Sequence, residues 1–267
     1  MGPARRILLH PGFHKTGTSS AQHFLWHNRQ RLSAQARVYL LRHLRASADA
    51  AMRHSRKREA ADLAVMVESL CEMLADAPRD RHLILSCEGL SGHIPGWPDV
   101  EDYSAAQEIL PLVAEVLRES LPGHSLHVVL TTRASEAWLH SVWRHLLIGT
   151  RLRLDWPAFA ARYSAAADLD GAAARIAAAL GPVPVEVLPL EEAQAHPLGP
   201  GGALVSRLGI DMAGLVPVGH GNRGPDAALA AELLALNRSW RPASGIQARK
   251  EALCTARGVG GWATGNA

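Results

Sequence analysis

Residues 6–20 constrain this chain more than any other stretch. They open with Ile7-Leu8-Leu9, an unbroken apolar run of the kind that forms a strand buried on both faces of a parallel sheet. A turn holding Gly12 and Gly17 follows, and a helical stretch covers residues 18–29. Successive N–H groups in such a strand–turn–helix unit converge on one point, and the helix N-terminus adds positive potential there. The segment is therefore an anion cradle. Gly12 and Gly17 let the backbone bend and approach a ligand closely. His14 lies within the turn, Lys15 supplies a mobile cation, and Thr16, Thr18, Ser19 and Ser20 bring hydroxyls. The plainer alternative is that these hydroxyls cap the helix, a task that needs only one of them.

The rest of the chain alternates in the same way. Apolar runs at 82–86, 126–132 and 183–188 read as further buried strands. Helices are predicted over 59–74, 105–117, 135–147, 156–163, 170–180, near Leu204, and over 226–240. In the first of these, Leu63, Met66, Val67, Leu70 and Leu74 share one face. Residues 34–54 read as a short helix with a mobile surface, 89–99 as a loop, and the glycine- and proline-rich 196–202 as an interruption. Strands alternating with helices predict an α/β fold, a parallel central sheet flanked by helices in a three-layer sandwich. At 267 residues the chain has ample length for one such domain over 1–257, with 258–267 as a flexible tail.

Net charge is +3 and the isoelectric point is about 9.0, a balance that suits an anionic ligand. The basic runs are short, and the longest, from His54 to Arg58, reads as a solvated helix face. No concentrated basic stripe interleaved with aromatics marks a nucleic-acid binder. Cys71, Cys87 and Cys254 have neither metal-ligand nor disulfide spacing and read as reduced thiols of a cytoplasmic protein. No leader peptide and no apolar stretch long enough to span a membrane is apparent. Lysine occurs only at 15, 57 and 250, so a lysine inside a glycine-rich turn stands out.

In a Walker A loop, Gly-Lys is followed directly by Ser or Thr. Here Lys15 precedes Gly17, which removes that reading. The order Lys15-Thr16-Gly17-Thr18-Ser19, within LLHPGFHKTGTSSAQ from Leu8 to Gln22, resembles the 5′-phosphosulfate loop of bacterial sulfotransferases. That resemblance covers about fifteen residues and implies 3′-phosphoadenosine 5′-phosphosulfate (PAPS) as donor and 3′,5′-adenosine bisphosphate (PAP) as product, without a metal. It further implies an Arg at the end of a later strand and a Ser eight residues on to read the 3′-phosphate. Arg133 and Ser141 stand at those places, and the Arg fork suits phosphate oxygens. Trp138 and Trp143 on the intervening helix read as packing residues. Arg223, in a glycine-rich stretch before the helix at 226–240, is a further donor-binding candidate, balanced by an ordinary helix entry.

The implied reaction moves a sulfuryl group to a hydroxyl or amine of a small molecule, glycan or lipid. Lys15 would stabilise the leaving phosphate oxygen, as fixed positive charge does in phosphoryl transfer. The acceptor must lose a proton. Glu88, directly after the strand at 82–86, is the first candidate base, His14 the second, with His93 and His140 more distant. A P-loop kinase-like phosphotransferase and a non-catalytic nucleotide-binding module remain as alternatives. Residues 31–60, 89–104 and 144–170, rich in Arg, His and Trp, would shape the acceptor pocket or form plain surface; they name no acceptor.

Overall fold

A computed structural model describes residues 5–219 and 224–259. Five strands, β1 (Arg5–His10), β2 (Ala36–Leu40), β3 (His82–Ser86), β4 (His124–Thr132) and β5 (Val185–Pro189), form one sheet in the order β2-β3-β1-β4-β5. Every pairing is parallel. The helices are α1 (Thr18–Leu32), α2 (Leu41–Lys57), α3 (Ala60–Leu74), α4 (Ala106–Ser120), α5 (Ser135–Gly149), α6 (Trp156–Tyr163), α7 (Leu169–Leu180), α8 (Leu190–Ala195), α9 (Gly199–Ser206), α10 (Ala227–Arg238) and α11 (Ala243–Ala256). The expected α/β sheet with helices on both faces is the architecture observed.

The apolar run of β1 explains the layering. Ile7 and Leu9 enter one core with α2, α3, α4, α5, α7 and α10. Leu8 points the other way, into a core with α1, α8 and α9. Each of the three is fully buried, worth about 1.5–3 kcal/mol apiece. The chain leaves β1 through α1 toward β2 on one side, and leaves β4 toward β5 on the other. The crevice between the C-terminal ends of β1 and β4 is thus a topological switch point, where open α/β sheets bind ligands.

Four sequence expectations are corrected. Residues 34–54 are not a single short helix: they begin with edge strand β2, paired to β3, before α2 starts. The alternation of Val38 and Leu40 against Tyr39 is short, and the arginines around it mask it. Second, the run from His54 to Arg58 is only partly solvated. His54 is buried, with Nε2 3.0 Å from Glu108 Oε2, Arg56 reaches Asp99 at 3.2 Å, and Arg58 pairs with Glu108. It ties α2 to the segment before and within α4. Third, most of 196–202 is helical, because α9 packs its glycines against α1: a Cβ on Gly201 would lie 2.5 Å from Phe24 Cβ. Fourth, α11 follows α10 where no helix was expected.

α10 and α11 close the last turn of α5. Asn237 Nδ2 donates to Leu147 O at 3.1 Å, and Lys250 Nζ donates to Ile148 O at 3.2 Å and to Thr150 O. These are carbonyls a helix end leaves without internal partners. Lys250 is 2% exposed, and burial pushes its ammonium down to about 8. Among the three cysteines Cys87 and Cys254 are buried, Cys71 is exposed, and all are free thiols. Among the described residues no helix is long and apolar enough to cross a membrane.

The close contact of α9 with α1 is testable. Gly201→Ala should lower unfolding free energy by about 1–2 kcal/mol, because overpacking against the Phe24 stem outweighs the better helix propensity of Ala. Urea unfolding followed by circular dichroism reads the change; an unchanged or raised midpoint would show that α9 is free to shift.

Candidate functional site

The turn after β1 is held from beneath by a line of hydrogen bonds that crosses the sheet. His10, fully buried, has Nδ1 2.8 Å from Ser86 Oγ on β3 and Nε2 3.3 Å from Thr131 Oγ1 on β4. Thr131 Oγ1 lies 2.6 Å from Thr16 Oγ1, and Thr16 donates to Phe13 O at 2.6 Å. The last donation sets the direction of all the others. Thr16 must accept from Thr131, and Thr131 from His10 Nε2–H. Burial pushes His10 down to about 4 and so keeps the ring neutral, and Nδ1 then accepts from Ser86.

Above this line, four successive carbonyls of the turn are each held by a side chain. Ser91 Oγ donates to Gly12 O at 2.8 Å; Thr16 and Thr18 donate to Phe13 O at 2.6 and 3.1 Å. Trp138 Nε1 donates to His14 O at 2.9 Å, and Arg133 Nη1 to Lys15 O at 3.2 Å. Of the turn amides, that of His14 donates to the Tyr103 hydroxyl at 3.0 Å. Gly17 precedes α1 in the left-handed region at φ 91, and no side chain caps the helix. The first amides of α1 thus keep their donors, and the capping explanation for Ser19, Ser20 and Thr18 fails. Gly17 is also required for space, since a Cβ there would lie 2.5 Å from Leu190 Cδ1.

Lys15 is itself left-handed, at φ 67, a conformation that costs a residue with a Cβ about 1–2 kcal/mol. Such strain held at one loop position motivates a functional reading. Burial lowers the Lys15 ammonium from its ordinary value, Arg133 adds to that, and Glu88 acts against it. Lys15 therefore stands within electrostatic reach of both. A cleft of about 420 Å³ brings together Lys15, Arg133 and Ser141, with Arg144, His145 and Gly224 also on its wall. The two separate sequence signals, 118 residues apart at Lys15 and Arg133, thus share one cavity.

Other candidates fall as follows. Glu88 opens a short 3-10 turn after β3, half-buried; it does not line that cleft, and Gln22 Nε2 donates to its Oε2 at 2.7 Å. His14 Nδ1 lies 3.2 Å from the Tyr103 hydroxyl, which accepts from the His14 amide at 3.0 Å. His93 Nδ1 accepts from the Ile94 amide at 3.0 Å. The neutral His93 ring therefore carries its proton on Nε2. Burial pushes each of these two histidines down to about 3. His140 lines the cleft with Lys15 and Arg133 and stacks on Trp156, with ring centroids 3.5 Å apart. Ser19 is exposed, and Ser20 lines a separate small cleft with Phe24 and His196. Arg223 lies outside the described residues.

Two functional features escaped the sequence. Trp138 is buried as expected of a packing residue, yet its indole N–H also holds the turn. Arg144, three residues beyond Ser141, has a buried Nε with no hydrogen-bond partner and faces the same cleft. Its i+3 spacing from Ser141 on α5 was the available signal.

No family model matches the chain, and no curated protein matches its sequence. Among solved structures, a sulfotransferase from Alicyclobacillus acidocaldarius is similar over 96% of this chain and 96% of its own, with 14% identity and a TM-score of 0.44.

The buried histidine gives a pH prediction. The unfolded chain takes up a proton on His10 near pH 6.5, whereas the folded chain does so only near 4. Between those values the unfolded state binds more protons, so the stabilisation is complete above pH 6.5 and is lost as pH falls toward 4. Unfolding free energy should drop by about 2 kcal/mol from His10 alone between pH 7 and 5. Urea titrations at both pH values check this, and His10→Gln should flatten the slope. An equal slope in the variant would reject the neutral buried ring.

Proposed function

We propose that this chain is a sulfotransferase that takes its sulfuryl group from PAPS. The observation that carries the reading is the shared cleft: a turn with outward-held carbonyls and an uncapped helix N-terminus, opening beside Lys15, Arg133 and Ser141. One end suits a 5′-phosphosulfate, held by the amides of residues 16–20 and the Lys15 ammonium. The other suits a 3′-phosphate, taken by the Arg133 fork and the Ser141 hydroxyl, with Arg144 in reserve beside them. Two anion-binding ends in one cleft fit a nucleotide that is phosphorylated at both the 3′ and 5′ positions.

In the proposed reaction an acceptor hydroxyl oxygen forms a bond to the donor sulfur. The bond from sulfur to the bridging phosphate oxygen breaks, and its electron pair stays on that oxygen. Lys15 neutralises the charge that develops there. Glu88 takes the hydroxyl proton. Gln22 holds one oxygen of the Glu88 carboxylate, which leaves the other to face the acceptor. His14 is the second candidate for the role of base, and His93, a donor at Nε2, is suited to bind a transferring sulfuryl oxygen. PAP and a sulfate ester leave. Gly12, Thr16 and Thr18 shape the turn from within, and Ser19 and Ser20 contribute through their backbone amides.

Parallel calorimetric titrations with PAP and ATP test the donor. PAP should bind at least tenfold tighter than ATP, and Arg133→Ala should weaken PAP by about tenfold to a hundredfold, the value of one charge-assisted contact. ATP binding more tightly than PAP would sink the proposal. Lys15→Gly suits the transfer step, because glycine accepts the left-handed backbone without strain. It should cut PAPS turnover by about 100-fold or more while keeping the unfolding midpoint. Glu88→Gln should lower turnover by about 100-fold to 10,000-fold with PAP affinity unchanged. Full turnover in the Glu88 variant would remove it as the base.

A further inference from the structure

The direction of the Lys15 side chain is set by the two peptide planes on either side of its Cα. Its φ is a rotation against the plane that carries the His14 carbonyl, and its ψ a rotation against the plane that carries its own. Trp138 Nε1 holds the first plane by donating to His14 O at 2.9 Å, and Arg133 Nη1 holds the second by donating to Lys15 O at 3.2 Å. Together these donors keep the backbone left-handed at φ 67 and so aim the Cα–Cβ bond. The holders of the turn differ in kind. Ser91, Thr16, Thr18 and Trp138, which hold the other carbonyls, are all buried. Arg133 is half-buried and lines the cleft with Lys15 and Ser141. One of the two holds on Lys15 is thus given to a side chain that a ligand can reach.

That hold has a competitor. Burial lowers the Arg133 guanidinium from its ordinary value and Glu191 opposes the shift, so the Glu191 carboxylate stands within electrostatic reach. Glu191 is exposed in the first turn of α8, and α8 begins against the turn, where a Cβ on Gly17 would lie 2.5 Å from Leu190 Cδ1. Without a ligand anion, the guanidinium divides its attraction between the Lys15 carbonyl and this carboxylate. A phosphate dianion in the cleft carries more charge than Glu191 and matches the planar fork. The bond to Lys15 O takes only one of the N–H donors of the guanidinium, so the fork can hold a phosphate and the carbonyl together.

We infer that Arg133 is a positioning residue for Lys15, and that an anion taken in its fork secures the backbone from which the lysine ammonium reaches the transferring group. A 3′-phosphate then acts on the rate of transfer as well as on affinity. The kinetic consequence rests on the sulfotransferase reading; the hold of Arg133 on the Lys15 backbone does not.

The test has two readings on the full chain. Lysine occurs only at 15, 57 and 250, so isotope-labelled lysine gives few and separable signals. The Lys15 Cα and Cβ shifts, read by magnetic resonance, report its backbone region. Arg133→Ala should move them from left-handed values toward extended or right-handed ones, with Lys57 and Lys250 unmoved. Ser141→Ala, which removes a hydroxyl from the same cleft, should keep Lys15 in the left-handed range. Arg133→Lys should restore the left-handed shifts in part, since an ammonium donates without a planar fork. Left-handed Lys15 shifts in Arg133→Ala would overturn the inference.

The second reading is sulfate released from PAPS and from adenosine 5′-phosphosulfate, which lacks the 3′-phosphate, with water as acceptor. Water oxygen bonds to sulfur, the bond to the bridging phosphate oxygen breaks with its electron pair on that oxygen, and nucleotide, sulfate and a proton leave. At saturation of each donor the wild type should turn over PAPS about tenfold faster, on the scale of the left-handed penalty at Lys15. In Arg133→Ala, kcat for PAPS should fall about tenfold and the preference in kcat should vanish. Ser141→Ala should raise KM for PAPS and keep the preference in kcat. Equal wild-type kcat for the two donors would reject the positioning role, and that comparison holds even where Arg133→Ala does not fold. Lys15 shifts that move in Arg133→Ala, with no sulfate released from either donor by the wild type, would reject the sulfotransferase reading and leave the hold on Lys15 standing. Sulfate release with an Arg133→Ala effect confined to KM would reject the positioning role alone.

Discussion

The site depends on one buried ring. His10 sits where the sheet is most enclosed, and both its nitrogens must find partners or cost about 1–3 kcal/mol each. Ser86 and Thr131, from the strands on either side, supply them, and Thr16 extends the line to the Phe13 carbonyl. Because each hydroxyl has one proton to give, the final donation to a carbonyl fixes every earlier one. The line has a single allowed direction, and it ends by turning a loop carbonyl downward. The backbone amides above gain their orientation from that.

Fixed charge is distributed along the C-terminal edge of the sheet in keeping with this frame. Lys15 and Arg133 follow β1 and β4, and Glu88 follows β3. Each is placed by the end of a parallel strand, so the sheet's register sets the spacing of the charges. An excess of positive groups around one carboxylate favours anionic ligands. Burial keeps His14 and His93 uncharged, which stops the cluster from becoming a larger cationic repulsion around Lys15.

Much of this was legible in the sequence because it is encoded locally. The run Ile7-Leu8-Leu9, the glycines of the turn, and the spacing of Arg133 and Ser141 each lie within a short window, and fold class follows from the alternation. What was not legible depends on distant partners. β2 is five residues long and its arginines hide the alternation. The helix at α9 holds glycines that sequence alone treats as breakers, and only the proximity of Phe24 explains them. Trp138 gave no sign that its N–H would meet a carbonyl 124 residues away. The tautomer of His93, which separates a donor from a base, depends on the Ile94 amide and cannot be inferred from the ring alone.

The closure of α5 by Asn237 and Lys250 bears on the order in which the molecule is made. α5 carries Ser141 and Arg144, yet the carbonyls of its final turn meet their donors only in residues 90 and 102 positions later. A ribosome releases the turn, the central strands and most of the helices long before it releases Lys250. Through that interval α5 has an unfinished end, and the wall of the cleft it forms is unsecured. The chain therefore emerges with the turn after β1 in place and the cleft beside Lys15 and Arg133 incomplete, and α10 and α11, synthesised later, secure its wall.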